Sequence, residues 1–276
     1  LQVARGAQAL AQQRGIQVQL YDAHGDIEFD LAMLRQLPAS PAGGAVIMAL
    51  HNVAFNEAVY QLKVQGFPFV LVDQRLRDIE VPSVTNDDRA GGYQVGQHLL
   101  QLGHRRIAFV GDLDATTVRD RLEGLRDAVG DAGVPFDRSL VVDLLVAGAA
   151  RLADWSPRID EAVRDLLARP VPPTAFFFSC DAVARSAYRT LAQLGRRIPE
   201  DVSIVGFDDD PLAEWLIPPL TTVRQPFAEM GRVAMETLCA HIGNPHAPVE
   251  RQVLPVTLIQ RASTAAPPGH AGRLPG

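Results

Sequence analysis

The chain has 276 residues, 47% hydrophobic and 21% charged, which is enough apolar side chain for two domain-sized cores and too much for disorder. Its net charge of -6 provides no basic surface that would neutralise phosphates, so the chain by itself is not expected to bind nucleic acid strongly. Two well-separated cysteines, Cys180 and Cys239, exclude a disulfide framework or a thiolate metal site and point to a reducing cytoplasm, and no apolar run reaches membrane-spanning length.

Along the chain, helix and strand signals alternate. Val3, Ala7, Leu10 and Ala11 share one helical face, Gly15 closes that helix, and 16–21 alternates apolar and polar as a strand does. Residues 1–15 lack the apolar core of a signal peptide. A helix is expected over 29–37, a buried strand over 45–50, a helix over 55–65 closed by Gly66, and a strand over 69–72 that ends in Asp73. This alternation builds a parallel sheet with helices on both faces.

The same plan restarts after a short strand at 82–85. A helix over 88–102 ends at Gly103, and 106–110 is a strand. Thr117 and Asp120 read as a capping pair for a helix carrying Val118, Leu122, Leu125 and Val129 inward. Residues 140–146 read as a strand. Ser156 before Pro157 reads as the cap and first turn of a helix with Ile159, Val163, Leu166 and Leu167 on its apolar stripe. A strand over 174–178, a helix over 181–194 and a strand over 202–207 complete the second half. A helix over 227–242 and a strand over 252–259 follow, and the Pro-, Gly- and Ala-rich tail from Thr264 onward is expected to be disordered.

The strand over 202–207 delivers Asp208, Asp209 and Asp210 at its C-terminal end, where ligand sites in open parallel sheets lie. Asp208 is the best ligand carboxylate of the three, while Asp209 and Asp210 are expected to cap the next turn or face water. Adjacent residues on an extended chain point opposite ways, so a metal site built from the three is not expected. No nucleophile elbow, metalloprotease motif or phosphate-binding loop occurs, and an enzyme is not expected. His98 and His104 flank a helix end without a nucleophile nearby and read as structural.

Several runs resemble the ligand-binding part of LacI/GalR-family transcriptional regulators. They are Leu102-Gly103-His104-Arg105-Arg106-Ile107-Ala108-Phe109-Val110, Arg121-Leu122-Glu123-Gly124, the stretch over 198–209 ending Gly206-Phe207-Asp208-Asp209, the stretch over 218–226, and the closing Gln260-Arg261-Ala262-Ser263-Thr264. The resemblance implies an α/β fold of the periplasmic-binding-protein type, with two doubly wound parallel-sheet subdomains joined by three crossing strands. The crossings would lie near 85–87, 223–225 and 254–255. The first subdomain is then 1–85 plus 225–253, the second 86–224 plus 254–263, with 264–276 as the tail.

The resemblance also implies an effector domain that binds a sugar or sugar-like molecule between its subdomains, forms a homodimer, and controls operator DNA through an N-terminal helix-turn-helix. That module and the first strand of the sheet are missing here, so the chain is expected to be a piece of a longer one rather than a protein that has lost its output module. A lost central strand would leave the edges of its neighbours unpaired.

Ligand-binding candidates follow residue by residue. Arg121, which would otherwise read as a surface ion pair, matches a ligand-binding arginine whose guanidinium forks across two oxygens. Arg121→Ala is expected to cost about 2 kcal/mol of effector binding with little loss of folding. Trp155 offers a flat face to a sugar ring or is ordinary core. Asp73 ends its strand at the same level; Gln225 and Phe227 match positions near the ligand, although Phe227 suits a core equally well. Cys180 stands where sugar-responsive relatives carry a hydrogen-bonding amide, which argues for an altered ligand. His51 and Asn52 lie at the rim or in a solvated loop. No cofactor is implied. The alternative reading is an exported solute-binding protein of a sugar transporter, which shares the fold.

Overall fold

The computed structural model describes residues 1–22, 26–48, 53–74, 76, 79–144, 152–244 and 248–269. The chain divides into two compact units, 1–87 with 226–255 and 88–225 with 256–276. The chain passes from one unit to the other three times, after Asp87, Gln225 and Pro255.

The first unit contains α1 (Gln2–Gln13), α2 (Ile27–Gln36), β1 (Ala45–Met48), α3 (Val53–Val64), β2 (Phe69–Val72) and β3 (Ser83–Asn86). The second unit begins with α4 (Asp88–Gln101), β4 (Ile107–Gly111), α5 (Thr116–Asp131), β5 (Val141–Asp143) and α6 (Leu152–Leu167). It continues through β6 (Ala175–Phe178), α7 (Asp181–Gln193), β7 (Ser203–Val205) and β8 (Thr222–Arg224). The chain then adds α8 (Phe227–Gly243) and β9 (Arg251–Leu254) to the first unit, and β10 (Thr257–Ile259) to the second.

In the first unit the sheet order is β1-β2-β3-β9, with every pair parallel. Successive strand residues point to opposite faces. Val70 and Val72 therefore pack with α1 and α8 through Val3, Ala7, Ala11, Met230, Ala234 and Leu238, whereas Phe69 and Leu71 pack with α2 and α3 through Leu31, Leu34, Phe55, Val59 and Leu62. Gly231 lets α8 close on α1, because a Cβ there would stand 1.9 Å from the Val3 carbonyl oxygen.

The strand expected over 16–21 does not form. Ile16, Val18, Leu20 and Tyr21 are exposed and make no ladder with any described strand. An alternating pattern marks a surface suited to a sheet, but the strand exists only where a partner supplies the ladder bonds. Among the described residues, none pairs with β1 on the side away from β2.

In the second unit the order is β5-β4-β6-β7, again all parallel. The run Ala175-Phe176-Phe177-Phe178 shows the two-residue period directly. Phe176 and Phe178 pack with Ile159, Val163, Val183 and Leu191 of α6 and α7, while Ala175 and Phe177 join Val95, Leu99, Leu125 and Val129 of α4 and α5. All three phenylalanines are fully buried.

Three expected boundaries move. The helix α5 starts at Thr116 after Ala115 without a side-chain cap, so Thr117 and Asp120 form no capping box. The helix α6 starts at Leu152, which puts Ser156 and Pro157 inside it rather than at its cap; Pro157, at the sixth position, forfeits the ladder bond to residue 153. The strand expected over 252–259 breaks at Pro255, where β9 pairs with β3 in the first unit and β10 pairs antiparallel with β8 in the second.

The tail from Thr264 is held where it is described. Ser263 Oγ donates to the Ile204 carbonyl at 2.6 Å, the Ala265 N–H donates to Ser203 Oγ at 3.0 Å, and His98 Nε2 pairs with Thr264 Oγ1 at 2.9 Å. The imidazole of His104 is buried between Thr174, Ser203 and the Ala265 carbonyl. Both histidines thus fasten the C-terminal segment to the second sheet.

Candidate functional site

The order β5-β4-β6-β7 fixes where a site forms in the second unit. From β4 the chain leaves into α5 on one face, and from β6 it leaves into α7 on the other. The two loops diverge at the C-terminal ends of β4 and β6, the switch point of a doubly wound sheet, where ligands bind in open α/β sheets.

Arg121 stands at this point. It lies in the second turn of α5, on the buried stripe with Val118 and Leu125, while Leu122 is only half-buried. The bland reading of Arg121 as a surface ion pair does not hold, because the pair it forms is buried. Nε donates to Asp88 Oδ1 at 2.8 Å, Nη1 donates to the Ser179 carbonyl just past β6 at 2.6 Å, and the guanidinium lies 3.8 Å over the Phe207 ring. Side chains of Arg121 and Asp88 are 5% and 3% exposed, so this is a buried ion pair.

Two glycines make that pair possible. A Cβ on Gly92 would stand 1.9 Å from the Arg121 carbonyl oxygen, and one on Gly124 would stand 2.0 Å from the Arg89 carbonyl oxygen. The backbones of α4 and α5 approach closely at both places, which brings Asp88 in the first turn of α4 against Arg121.

The three acids after β7 do three different things. Asp208 takes a left-handed backbone, φ 122°, and its Oδ1 accepts from Gln225 Nε2 at 2.5 Å. Asp209 also has positive φ, 55°, and does not face water: it is a nearly buried hub that accepts from Arg224 at 2.6 Å and from Arg261 at 2.6 Å. Asp210 caps the following turn at Pro211–Trp215 by accepting from the Leu212 N–H at 2.7 Å. Two consecutive non-glycine residues at positive φ store backbone strain, and strain of this kind gathers where a side chain must be aimed at a ligand.

Behind them sits Asp181, the first residue of α7. Its carboxylate accepts from Thr222 Oγ1 at 2.6 Å and from the Asp210 N–H at 2.8 Å. Gly206 leaves room for it, since a Cβ there would lie 2.1 Å from Oδ1. Burial pushes the Asp181 carboxyl up to about 6, against the two hydrogen bonds, and the charges of Asp209 and Asp210 push the same way as burial. Cys180 precedes α7; burial first, then the charge of Asp208, pushes its thiol up to about 12, so it stays a neutral thiol. The roles of Asp88 and Asp181 were not visible in the sequence, because nothing there separates them from other helix-starting acids.

Of the candidate residues, Arg121, Cys180, Asp208 and Gln225 all belong to the second unit, at or beside these strand ends. Asp73 and Phe227 belong to the first unit. Asp73 ends β2 with φ 66°, its N–H donates to the Val84 carbonyl, and its Oδ1 accepts from Asn86 Nδ2 at 3.4 Å. Phe227 opens α8 and packs, partly buried, against the α1–α8 core. Trp155 falls within α6, and its side chain, like His51 and Asn52 as a whole, lies outside the described residues.

Comparison with known proteins agrees with the two-unit α/β fold. Residues 97–264 match the periplasmic binding protein-like domain family. The transcriptional regulator MalR of Streptomyces coelicolor is 36% identical over 239 residues, 84% of this chain and 67% of that protein. The ribose operon repressor of Escherichia coli K12 is 30% identical over 265 residues, 95% of this chain and 77% of the repressor. A solved LacI-family regulator from Enterococcus faecium, with bound ribose, is similar with a TM-score of 0.78 and 30% identity, covering 96% of this chain and 93% of that one.

The chain belongs to the LacI family of transcriptional regulators. It is the effector-binding domain of a LacI-type regulator, built as the two α/β units of the periplasmic-binding-protein fold. The matched relatives are regulators, so the reading as a transporter's solute-binding protein is set aside, and no relative named here is an enzyme. Among LacI-family relatives this chain spans about two thirds of MalR. No helix among the described residues is long and apolar enough to cross a membrane.

Proposed function

We propose that this LacI-family domain binds a sugar or sugar-like effector at the strand-end rim of its second unit, with Arg121, Asp208 and Gln225 as hydroxyl partners and Trp155 and Cys180 as further contacts. The observation that carries the reading is Asp208. A carboxylate held at φ 122° at the end of a buried strand, braced by Gln225, is strained backbone with an acceptor aimed from it. Two related structures support the ligand class, the E. faecium regulator with bound ribose and a CelR–cellobiose complex at 31% identity and TM-score 0.83, covering 95% of this chain and 78% of that one.

The test is a thermal-shift titration with ribose, cellobiose and a panel of other uncharged sugars on the chain and on Asp208→Ala. Ligand that binds only the folded chain stabilises it by mass action, about 2.7 kcal/mol at a hundred times Kd. One sugar is expected to raise Tm, and Asp208→Ala to weaken that response by about tenfold or more in Kd, roughly the value of a charge-assisted hydrogen bond. An unchanged response in Asp208→Ala removes Asp208 from the site.

In the whole regulator, effector occupancy acts on operator DNA through a DNA-binding module outside this chain, working in the cytoplasm as a homodimer. The net charge of -6 gives the domain no phosphate-binding surface of its own. The turn after Asp210 suits the contact with a second copy: Trp215 is 81% exposed and Ile217 92%, with Leu212 beside them also exposed. Exposed apolar side chains grouped in one turn mark an interaction surface. Light scattering is expected to find a dimer for the native chain and a monomer for Trp215→Asp; equal masses for the two would remove this turn from the interface.

A further inference from the structure

We propose that Asp181 is a positioning residue of the rim: it fixes the strained Asp208-Asp209 pair from beneath and so aims the Asp208 carboxylate at the effector. The proposal deepens the reading of Asp208 as an effector contact and rests on it.

A left-handed backbone at non-glycine residues persists only where the surroundings over-determine it. At Asp208 and Asp209 φ is 122° and 55°. The residues on either side of this pair are both bonded to Asp181. Its N–H donates to the Phe207 carbonyl at 2.8 Å, and its Oδ2 accepts from the Asp210 N–H at 2.8 Å. One residue therefore grips the chain just before and just after the strained step, and sets the span that the two residues between must cover.

The grip extends to the neighbouring strand. Asp181 Oδ1 accepts from Thr222 Oγ1 at 2.6 Å, and the same hydroxyl oxygen accepts from the Asp209 N–H at 3.4 Å. The amides of Asp209 and Asp210 thus both lead to this carboxylate, one through the Thr222 hydroxyl and one directly. Thr222 opens β8, where the Val223 carbonyl accepts from the Asp208 N–H at 2.8 Å and Arg224 bridges Asp208 in parallel. The next residue is Gln225, which donates to Asp208 Oδ1. Fixing Thr222 to Asp181 fixes the register of Asp208 against Gln225.

An acid in the first turn of a helix ordinarily serves that helix, by accepting from its unpaired N–H groups and by opposing its dipole. The bonds of Asp181 go elsewhere. Cys180 is the N-cap of α7 and makes no side-chain bond, and the Asp181 carboxylate accepts from Asp210 and Thr222, 29 and 41 residues away in sequence. Gly206 supplies the space, since a Cβ there would stand 2.1 Å from Oδ1. Burial raises this carboxyl to about 6, so its charged form is held at a cost and stability does not account for it.

Hydrogen exchange tests the positioning without knowledge of the effector. In Asp181→Ala the segment 207–214 is expected to exchange at least about tenfold faster than in the native chain, while 175–178 in β6 is unchanged. Asp181→Asn, which keeps an acceptor for the Asp210 N–H, is expected to stay within about twofold of native. Exchange over 207–214 that is unchanged in Asp181→Ala, or that rises no more than over 175–178, overturns the proposal.

Calorimetry with ribose and cellobiose reads the link to the effector. Whichever of the two binds the native chain is expected to bind Asp181→Ala at least about fivefold more weakly, and Asp181→Asn as it binds the native chain. Asp181→Ala/Asp208→Ala is expected to bind no more weakly than Asp208→Ala, because a residue that acts through Asp208 adds nothing once that carboxylate is gone. Additive losses overturn the proposal. Where Asp181→Ala does not fold, Thr222→Val removes the hydroxyl between the carboxylate and the Asp209 N–H and stands in for it in both measurements, with the same outcomes. Should neither sugar bind, the sugar reading of the rim fails, and exchange over 207–214 alone decides the role of Asp181.

Discussion

Arg121→Ala is expected to lower the unfolding free energy of the second unit by about 3–5 kcal/mol, the usual cost of breaking a buried ion pair from one side. Most of this comes from what remains. Asp88 is 3% exposed in its side chain and would lose Arg121 as an ion-pair partner. The Ser179 carbonyl loses a donor at 2.6 Å and Phe207 loses the cation over its face. The sequence-based expectation of little folding loss took no account of burial, and Arg121 is buried. Urea unfolding measures the effect, and a midpoint that corresponds to less than about 1 kcal/mol would mean that water reaches the pair.

The double variant Asp88→Asn/Arg121→Gln separates the two contributions to that loss. Replacing both charges by amides that bond to each other removes the buried carboxylate that Arg121→Ala leaves behind, so the double variant is expected to be more stable than Arg121→Ala by about 2 kcal/mol. Equal losses in the two would assign the effect to packing of the guanidinium on Phe207 instead. The same arithmetic makes Arg121→Ala a poor probe of effector binding, and Asp208→Ala the better one.

What the sequence showed of the fold followed from patterns that need only local information. The run Ala175-Phe176-Phe177-Phe178 has to be a strand buried on both faces, and it is. The stretch 16–21 carries an equally good alternating pattern and forms no strand, because ladder bonds need a partner and none of the described residues provides one. Helix starts were misread at Thr117 and Ser156 for a related reason: a residue type suited to capping is common, and only the path of the chain decides which one caps.

The site was legible in part. Asp208 and Gln225 were singled out and do bond to each other. Asp88 and Asp181 were not, since their importance lies in contacts across 33 and 41 residues of sequence, to Arg121 and Thr222. Nothing in the chain marks those separations. Asp209 shows the converse error: three adjacent acids look like a solvated run, yet the middle one gathers two arginines from β8 and from the segment after β10.

Asp181→Asn is expected to stabilise the second unit at neutral pH by about 2–3 kcal/mol and to remove a pH dependence below it. The carboxyl is raised from its ordinary value of 3.8 to about 6, chiefly because burial disfavours its charge. A group with a raised folded-state value contributes its full stability when protonated in both states, below about pH 4, and loses that contribution as pH rises through about 6. At pH 7 the native chain therefore holds a buried carboxylate at a cost, with Asp209 and Asp210 adding repulsion. Asparagine avoids the charge and keeps both bonds, its Oδ1 accepting from the Asp210 N–H and its Nδ2 donating to Thr222 Oγ1, whose hydroxyl turns to accept. Urea midpoints for the native chain and Asp181→Asn, measured from pH 4 to 8, are expected to converge at the acid end, separate as pH rises towards about 6 and stay apart above it with the variant the more stable. Parallel curves, or a variant less stable at pH 7, would show that the carboxylate is compensated in place and that Asp181 orders the Asp208 loop through its bonds rather than at the expense of stability.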